Sequence, residues 1–235
     1  MSIADKLGTI AENEQRVYEA GQNEMSLAYW NAITDYGTRT TWETVSPFQY
    51  GNYSDIKFPK PIVISGSASR LFRMYKGNRL PRKEDINMSG VTACNEAFAY
   101  MYGSKETLTI PDYGLPALTS YTGTYYYCNA REIELIRCHK DTTFNDIVFS
   151  QCKYLTDVSF EGEIGTTLWF GHSPLSVKCM KHIISHLVNY AGTENEYVYK
   201  ITFTSACKTA LEAEGNTSPN GNTWLDYMTD LGWNH

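Results

Sequence analysis

Pairs of apolar residues separated by one polar residue recur along this chain at a nearly constant interval. Val158 and Phe160 form the last pair, and Ile133/Leu135 and Leu108/Ile110 stand 25 and then another 25 residues earlier. Ile86/Met88 and Ile62/Ile64 follow 22 and 24 residues further back. A repeat of this length specifies a unit that is unable to bury its own apolar side and must stack on its neighbours. Within each pair the in-out alternation is that of a short strand. Upstream of several pairs an aromatic is followed three residues later by Met or Cys: Phe98/Met101, Tyr125/Cys128 and Phe149/Cys152. That spacing predicts a helical or 3-10 turn burying one face. The expected architecture is therefore an α/β solenoid of about five units over residues 62–170, with a parallel sheet on one side.

The flanks break the period. Residues 1–36 read as an N-terminal helix, with Ser2 as N-cap and Ile3, Leu7, Ile10 and Val17 as a narrow apolar stripe. Lys6, Asn13 and Ala20 leave that stripe incomplete as a coiled-coil seam. It suits attachment to a partner or a short oligomeric stalk. Residues 37–61 read as an N-terminal cap, marked by Gly51-Asn52 and Pro59-Lys60-Pro61. Lys76 to Lys83 is expected as an exposed loop. Residues 171–235 read as a mixed α/β C-terminal cap. Its expected parts are a helix capped by Ser173 with Pro174 at its first position, a strand over Val198 to Phe203, and helices over Thr204 to Glu214 and Thr223 to Leu231.

If the apolar pairs face inward, their neighbours face outward. Those are Asp85, Asn87, Thr107, Thr109, Glu132, Glu134, Asp157, Ser159 and Glu161. Strand spacing would set them about 4.8 Å apart per unit. A flat polar ladder with that spacing suits an extended polymer such as a cell-wall glycan or a protein strand. A second candidate is the tyrosine cluster Tyr121, Tyr125, Tyr126 and Tyr127, since aromatics on a rim serve as stacking or interface groups.

Composition narrows the rest. A net charge of −6 without a basic stripe argues against a nucleic-acid partner. No run approaches a membrane span, and the opening residues do not read as a secretory signal, so synthesis in the cytoplasm is expected. The six Cys show no CxxC pair and read as reduced and structural. His182 and His186 have the i, i+4 spacing of two metal ligands, but no third ligand is evident. Cys138, His139 and Asp141 sketch a nucleophile and base that adjacency in sequence would drive apart. Neither metal, cofactor nor catalysis is expected.

The unit Phe149-Ser-Gln-Cys152-Lys-Tyr-Leu155-Thr-Asp-Val158-Ser-Phe160 resembles the BspA-like subclass of leucine-rich repeats. The opening residues 1–21 and the ending Thr223-Trp-Leu-Asp-Tyr-Met-Thr-Asp-Leu-Gly-Trp-Asn-His235 resemble proteins of phages and prophages of gut Firmicutes that occur among tail or baseplate genes. The resemblance spans essentially the whole chain, although units before Phe149 are degenerate. It implies a leucine-rich-repeat virion component of the tail or baseplate, made in the host cytoplasm and without enzymatic activity. It further implies attachment to other virion tail proteins by the N-terminal helix, compatibility with a homotrimer, and binding of a host cell-surface glycan or protein. A structural tail protein that binds other virion proteins, or a bacterial surface adhesin of the same fold, are the alternatives.

Overall fold

The computed structural model describes residues 62–75, 80–103 and 108–235. The expected N-terminal helix with Ile3, Leu7, Ile10 and Val17, the cap over 37–61, and Thr107 lie outside the described residues.

The chain winds into a parallel-sheet β-solenoid of about four turns with few helices. Its strands are β1 Ile62–Ser67, β2 Ile86–Ala93, β3 Thr109–Ile110, β4 Ser120–Tyr121, β5 Glu132–Cys138, β6 Thr143–Phe144, β7 Asp157–Gly162, β8 Leu168–Trp169 and β9 Ile201–Thr202. Among the described residues every strand pair is parallel: β1–β2, β3–β5–β7, β4–β6 and β8–β9. Parallel pairing needs a long crossover, and here each crossover is one full coil. The apolar pairs set the register at Ile62 against Ile86 and Ile133 against Val158, but Ile110 and not Leu108 faces Ile133, two residues out of the expected register.

One pair departs from the expected alternation. Ile133 is buried, but the residue facing Phe160 is Ile136 and not Leu135, which is only half buried. A register shift between Ile133 and Ile136 inserts an extra residue. Such a bulge moves everything after it to the opposite face.

The segments expected as helical turns are chains of overlapping turns instead. Alternate N–H groups bond back three residues: Leu71 to Ala68, Arg73 to Arg70 and Tyr75 to Phe72, at 3.1–3.2 Å. The N–H groups between them reach the next coil: Arg70 to Asn95, Phe72 to Ala97 and Met74 to Ala99, at 2.7–2.9 Å. An α-helix would spend every interior donor on itself. Here half the donors hold the neighbouring coil, and the stack is continuous through its turns.

An aromatic spine runs along the core: Phe72, Phe98, Tyr125, Phe149, Phe170 and Phe203. Successive ring centroids lie 5.3, 5.5, 5.6, 4.6 and 6.3 Å apart, with interplanar angles of 3–24°. Stacking at this spacing adds to the area each ring buries. All six cysteines are free and buried.

The C-terminal part closes the stack. Helix α1, Val177–Ser185, lies over β7 and starts at Ser176, whose Oγ accepts from the Cys179 N–H at 3.1 Å. The expected cap, Ser173, is buried in the preceding turn and its N–H bonds to the Phe170 carbonyl. Of the expected strand Val198 to Phe203, only β9 forms, because β8 is itself two residues long. Helices α2, Ser205–Glu212, and α3, Trp224–Asp230, begin at the N-caps Thr204 and Thr223. Buried Trp233 donates its Nε1–H to the Val188 carbonyl at 2.7 Å and ties the end of the chain to the stack.

Candidate functional site

The sheet face carries most of the predicted ladder, but not as a row of free acids. Asn87, Glu132, Glu134, Ser159 and Glu161 are exposed and Thr109 is half buried. Thr109 donates to Glu132 at 3.3 Å, and the Asp112 N–H donates to Glu134 at 2.9 Å. Arg137 forks onto both oxygens of Asp112 at 2.8 Å and lies 3.2 Å from Glu161. The Arg137 hydrogen bond holds the Asp112 carboxyl below its ordinary value, against the upward effect of burial. Arg137 thus offsets the acidic half of the ladder, and only the bulge in β5 puts it there.

Two ladder residues do other work. Asp85 is 7% exposed, not outward-facing, because a 3-10 turn over Lys83–Asp85 rotates it inward, where Arg82 Nε donates to it at 2.8 Å. Asp157 accepts from Thr156 at 2.8 Å and from Ser176 at 2.7 Å, and so steadies the start of α1.

The tyrosine cluster divides. Tyr121 and Tyr125 do not reach the rim; they are 0% and 2% exposed. Tyr121 stacks on Phe144 and donates to the Arg137 carbonyl at 2.8 Å, while Tyr125 is a member of the spine. Tyr126 and Tyr127 lie on the outer turn edge, where Tyr100 of the preceding coil joins them. The Tyr100 and Tyr127 rings are parallel at 5.7 Å and 6°, and Tyr126 stands edge-on to both. The Arg73 guanidinium covers the other side of Tyr100 at 5.1 Å. Tyr127 remains 39% exposed.

This edge is a row of equivalent positions, with Met74, Tyr100, Tyr127 and Gln151 in successive coils. All four have left-handed φ, at 62°, 55°, 54° and 63°. For non-glycine residues that conformation costs on the order of 1 kcal/mol each and persists only where the surroundings impose it. The turn ladder imposes it here. The row ends at His172, whose Nδ1 accepts the Gln151 N–H at 3.3 Å. Sequence alone pointed to Tyr126 and Tyr127 but missed Arg73, Tyr100, Gln151 and His172. The signal available was the shared repeat position of Tyr100 and Tyr127.

The chemical candidates are placed as follows. Cys138, His139 and Asp141 line a cleft of about 570 Å³ together with Leu118, Lys140 and Glu163. The Cys138 Sγ donates to the Glu163 carbonyl at 3.4 Å, and burial pushes the thiol up to about 11. A thiol held protonated at neutral pH is a poor nucleophile. In α1 the His182 and His186 rings lie 4.2 Å apart. His182 Nε2 accepts the Phe160 N–H at 2.9 Å, and His186 Nδ1 lies 2.8 Å from the His182 carbonyl. Among the described residues no three His, Cys, Asp or Glu side chains gather as a metal site. No described helix is long and apolar enough to cross a membrane.

The burial of His182 beside His186 predicts a pH dependence. Burial first, then His186, holds its pKa below the ordinary 6.5. The unfolded chain therefore takes up the proton first as pH falls. The stabilisation is complete above about 6.5 and is lost as pH falls below it. Asp112, held below its ordinary 3.8, contributes its own loss only in more acid solution. Thermal melting is expected at lower temperature at pH 5.0 than at pH 7.5, with protection of the Phe160 amide falling in parallel. A flat profile in that window would show that burying uncharged His182 contributes no pH-dependent stability.

Together these features define a parallel β-solenoid with a patterned sheet face and an aromatic turn edge. No protein-family model, no curated protein and no solved structure matches the chain.

Proposed function

We propose that this chain is a BspA-like leucine-rich-repeat component of a phage tail or baseplate that binds a host cell-surface receptor. The observation that carries the binding role is the outer turn edge, where Arg73, Tyr100, Tyr126 and Tyr127 stand together on a rigid stack. Aromatic and arginine side chains are the groups most enriched where binding energy concentrates. The tyrosine rings present large area at low entropic cost, and here the turn ladder holds their backbone in advance. The repeat sequence and the two ends of the chain support the tail assignment. On this reading residues 1–36, with Ile3, Leu7, Ile10 and Val17, form the helix that attaches the protein to other tail proteins. The sheet-face residues Glu132, Glu134, Ser159 and Glu161 form a second, more polar surface on the same stack.

The test is made on particles. Antibody against the full chain should label the tail end of intact virions, and purified protein added in excess should slow their adsorption to host cells. Deleting residues 1–36 should abolish incorporation. Virions without the protein, or adsorption indifferent to it, would refute the assignment.

A further inference from the structure

We infer that the outer turn edge holds a carbohydrate subsite, a hexopyranose ring stacked on Tyr127 and hydrogen-bonded by Gln151 and His172. The inference rests on the receptor-binding reading above and names the ligand class and the residues.

Tyr100 has no free face, since Arg73 covers one side at 5.1 Å and Tyr127 the other at 5.7 Å. Tyr126 presents its edge to both neighbours. Among the described residues, Tyr127 alone in this row has one ring face with no ring or cation against it, and that face looks toward the next coil. The Tyr127 N–H bonds to the Ser150 carbonyl at 2.9 Å, which makes Gln151 the residue one layer on. The Gln151 side-chain amide is directed onto His172 Nε2 at 3.3 Å. The His172 imidazole is fixed by an edge-on contact with Trp169 at 4.6 Å. Two layers of about 4.8 Å therefore separate the Tyr127 and His172 positions, with an amide and an imidazole along the far side.

This combination selects for a sugar. A pyranose has an apolar C–H face that stacks on a neutral aromatic ring, and a rim of hydroxyls that both donate and accept. Gln151 offers a donor and an acceptor, and His172, whose Nδ1 accepts the Gln151 N–H, leaves Nε2 beside the Gln151 amide for a hydroxyl. No carboxylate stands in the row, and Arg73 is spent on Tyr100 and on Glu96, 2.9 Å away. The subsite therefore fits a neutral ring better than a phosphate or a charged side chain. Because the row runs along the stacking axis, a linear polysaccharide would extend from this ring toward His172 and Trp169.

The full chain is tested on an array of hexose and N-acetylhexosamine oligosaccharides with bacterial surface polysaccharides. The native protein is expected to bind at least one glycan. Tyr127→Ala should weaken that binding about tenfold, whereas Tyr127→Phe keeps it within about twofold. His172→Ala should weaken it about threefold, and it carries the same test should Tyr127→Ala melt at lower temperature. No bound glycan, or native-like binding by Tyr127→Ala and His172→Ala, overturns the inference. Adsorption to cells that is abolished by protease treatment of the cells, without any glycan bound, overturns it while leaving the receptor-binding reading intact. Glycan binding by a protein absent from virions does the reverse.

Discussion

Phe149→Ala is expected to cost about 3–5 kcal/mol of folding stability, the range for truncating a buried aromatic. Its ring stacks on Tyr125 at 5.6 Å and on Phe170 at 4.6 Å, and meets Phe160 edge-on at 6.5 Å. It is the link between the repeats and the C-terminal layers. In a solenoid each layer is held mainly by its two neighbours, so a cavity at this level loosens two interfaces at once. A domain of ordinary stability has only about 5–15 kcal/mol in total. Val63→Ala, at a strand position 64% exposed, should change stability by less than about 0.5 kcal/mol. Urea denaturation of both variants measures the contrast. A loss below about 1.5 kcal/mol for Phe149→Ala would mean that the spine is not the main element holding the stack.

Gly162→Ala should be damaging for a different reason. Gly162 has φ of 100°, and a Cβ placed on it would sit 2.0 Å from the Cys138 carbonyl oxygen and 3.1 Å from its carbon. The obstacle is the backbone of the neighbouring coil, which has no rotamer to change. Positive φ costs about 1–3 kcal/mol for a non-glycine residue, and forced displacement in a packed region adds about as much again. The expected loss is about 3–5 kcal/mol, with opening of the cleft beside Cys138. Gly114→Ala separates the two causes. It also has positive φ, 74°, but nothing lies within 4 Å of the added carbon, so only the conformational cost remains. Equal losses in the two variants would show that close coil-to-coil approach at Gly162 is unimportant.

Much of the fold was legible in the sequence for a simple reason. In a parallel stack the period of the apolar pattern becomes the register. Ile62 against Ile86 and Ile133 against Val158 are predicted pairs, whereas Ile110, and not the expected Leu108, meets Ile133. The spacing of Phe98, Tyr125 and Phe149 likewise marked the spine. The candidate surface was less legible. Tyr125 was both a repeat anchor and a rim candidate, and its position between Phe98 and Phe149 decides for the core. Asp85 matched the ladder by spacing, but one 3-10 turn before β2 faces it inward. Arg137, which neutralises part of the ladder, reaches it through a bulge that leaves no mark in the apolar period. Ser173 and Ser176 are equally good caps by residue type, and packing of α1 over β7 chooses between them.

The sequence by itself determined that the chain stacks, how far apart its units lie, and which residues form the inward strand face. Burial of apolar surface at a fixed period is a one-dimensional property and can be read along the chain. Only the tertiary structure decided that the turns are hydrogen-bonded ladders and that Tyr100, Tyr127, Gln151 and His172 share one edge. Those outcomes depend on which backbone donors are taken by a neighbouring coil, and that is settled only when the coils meet.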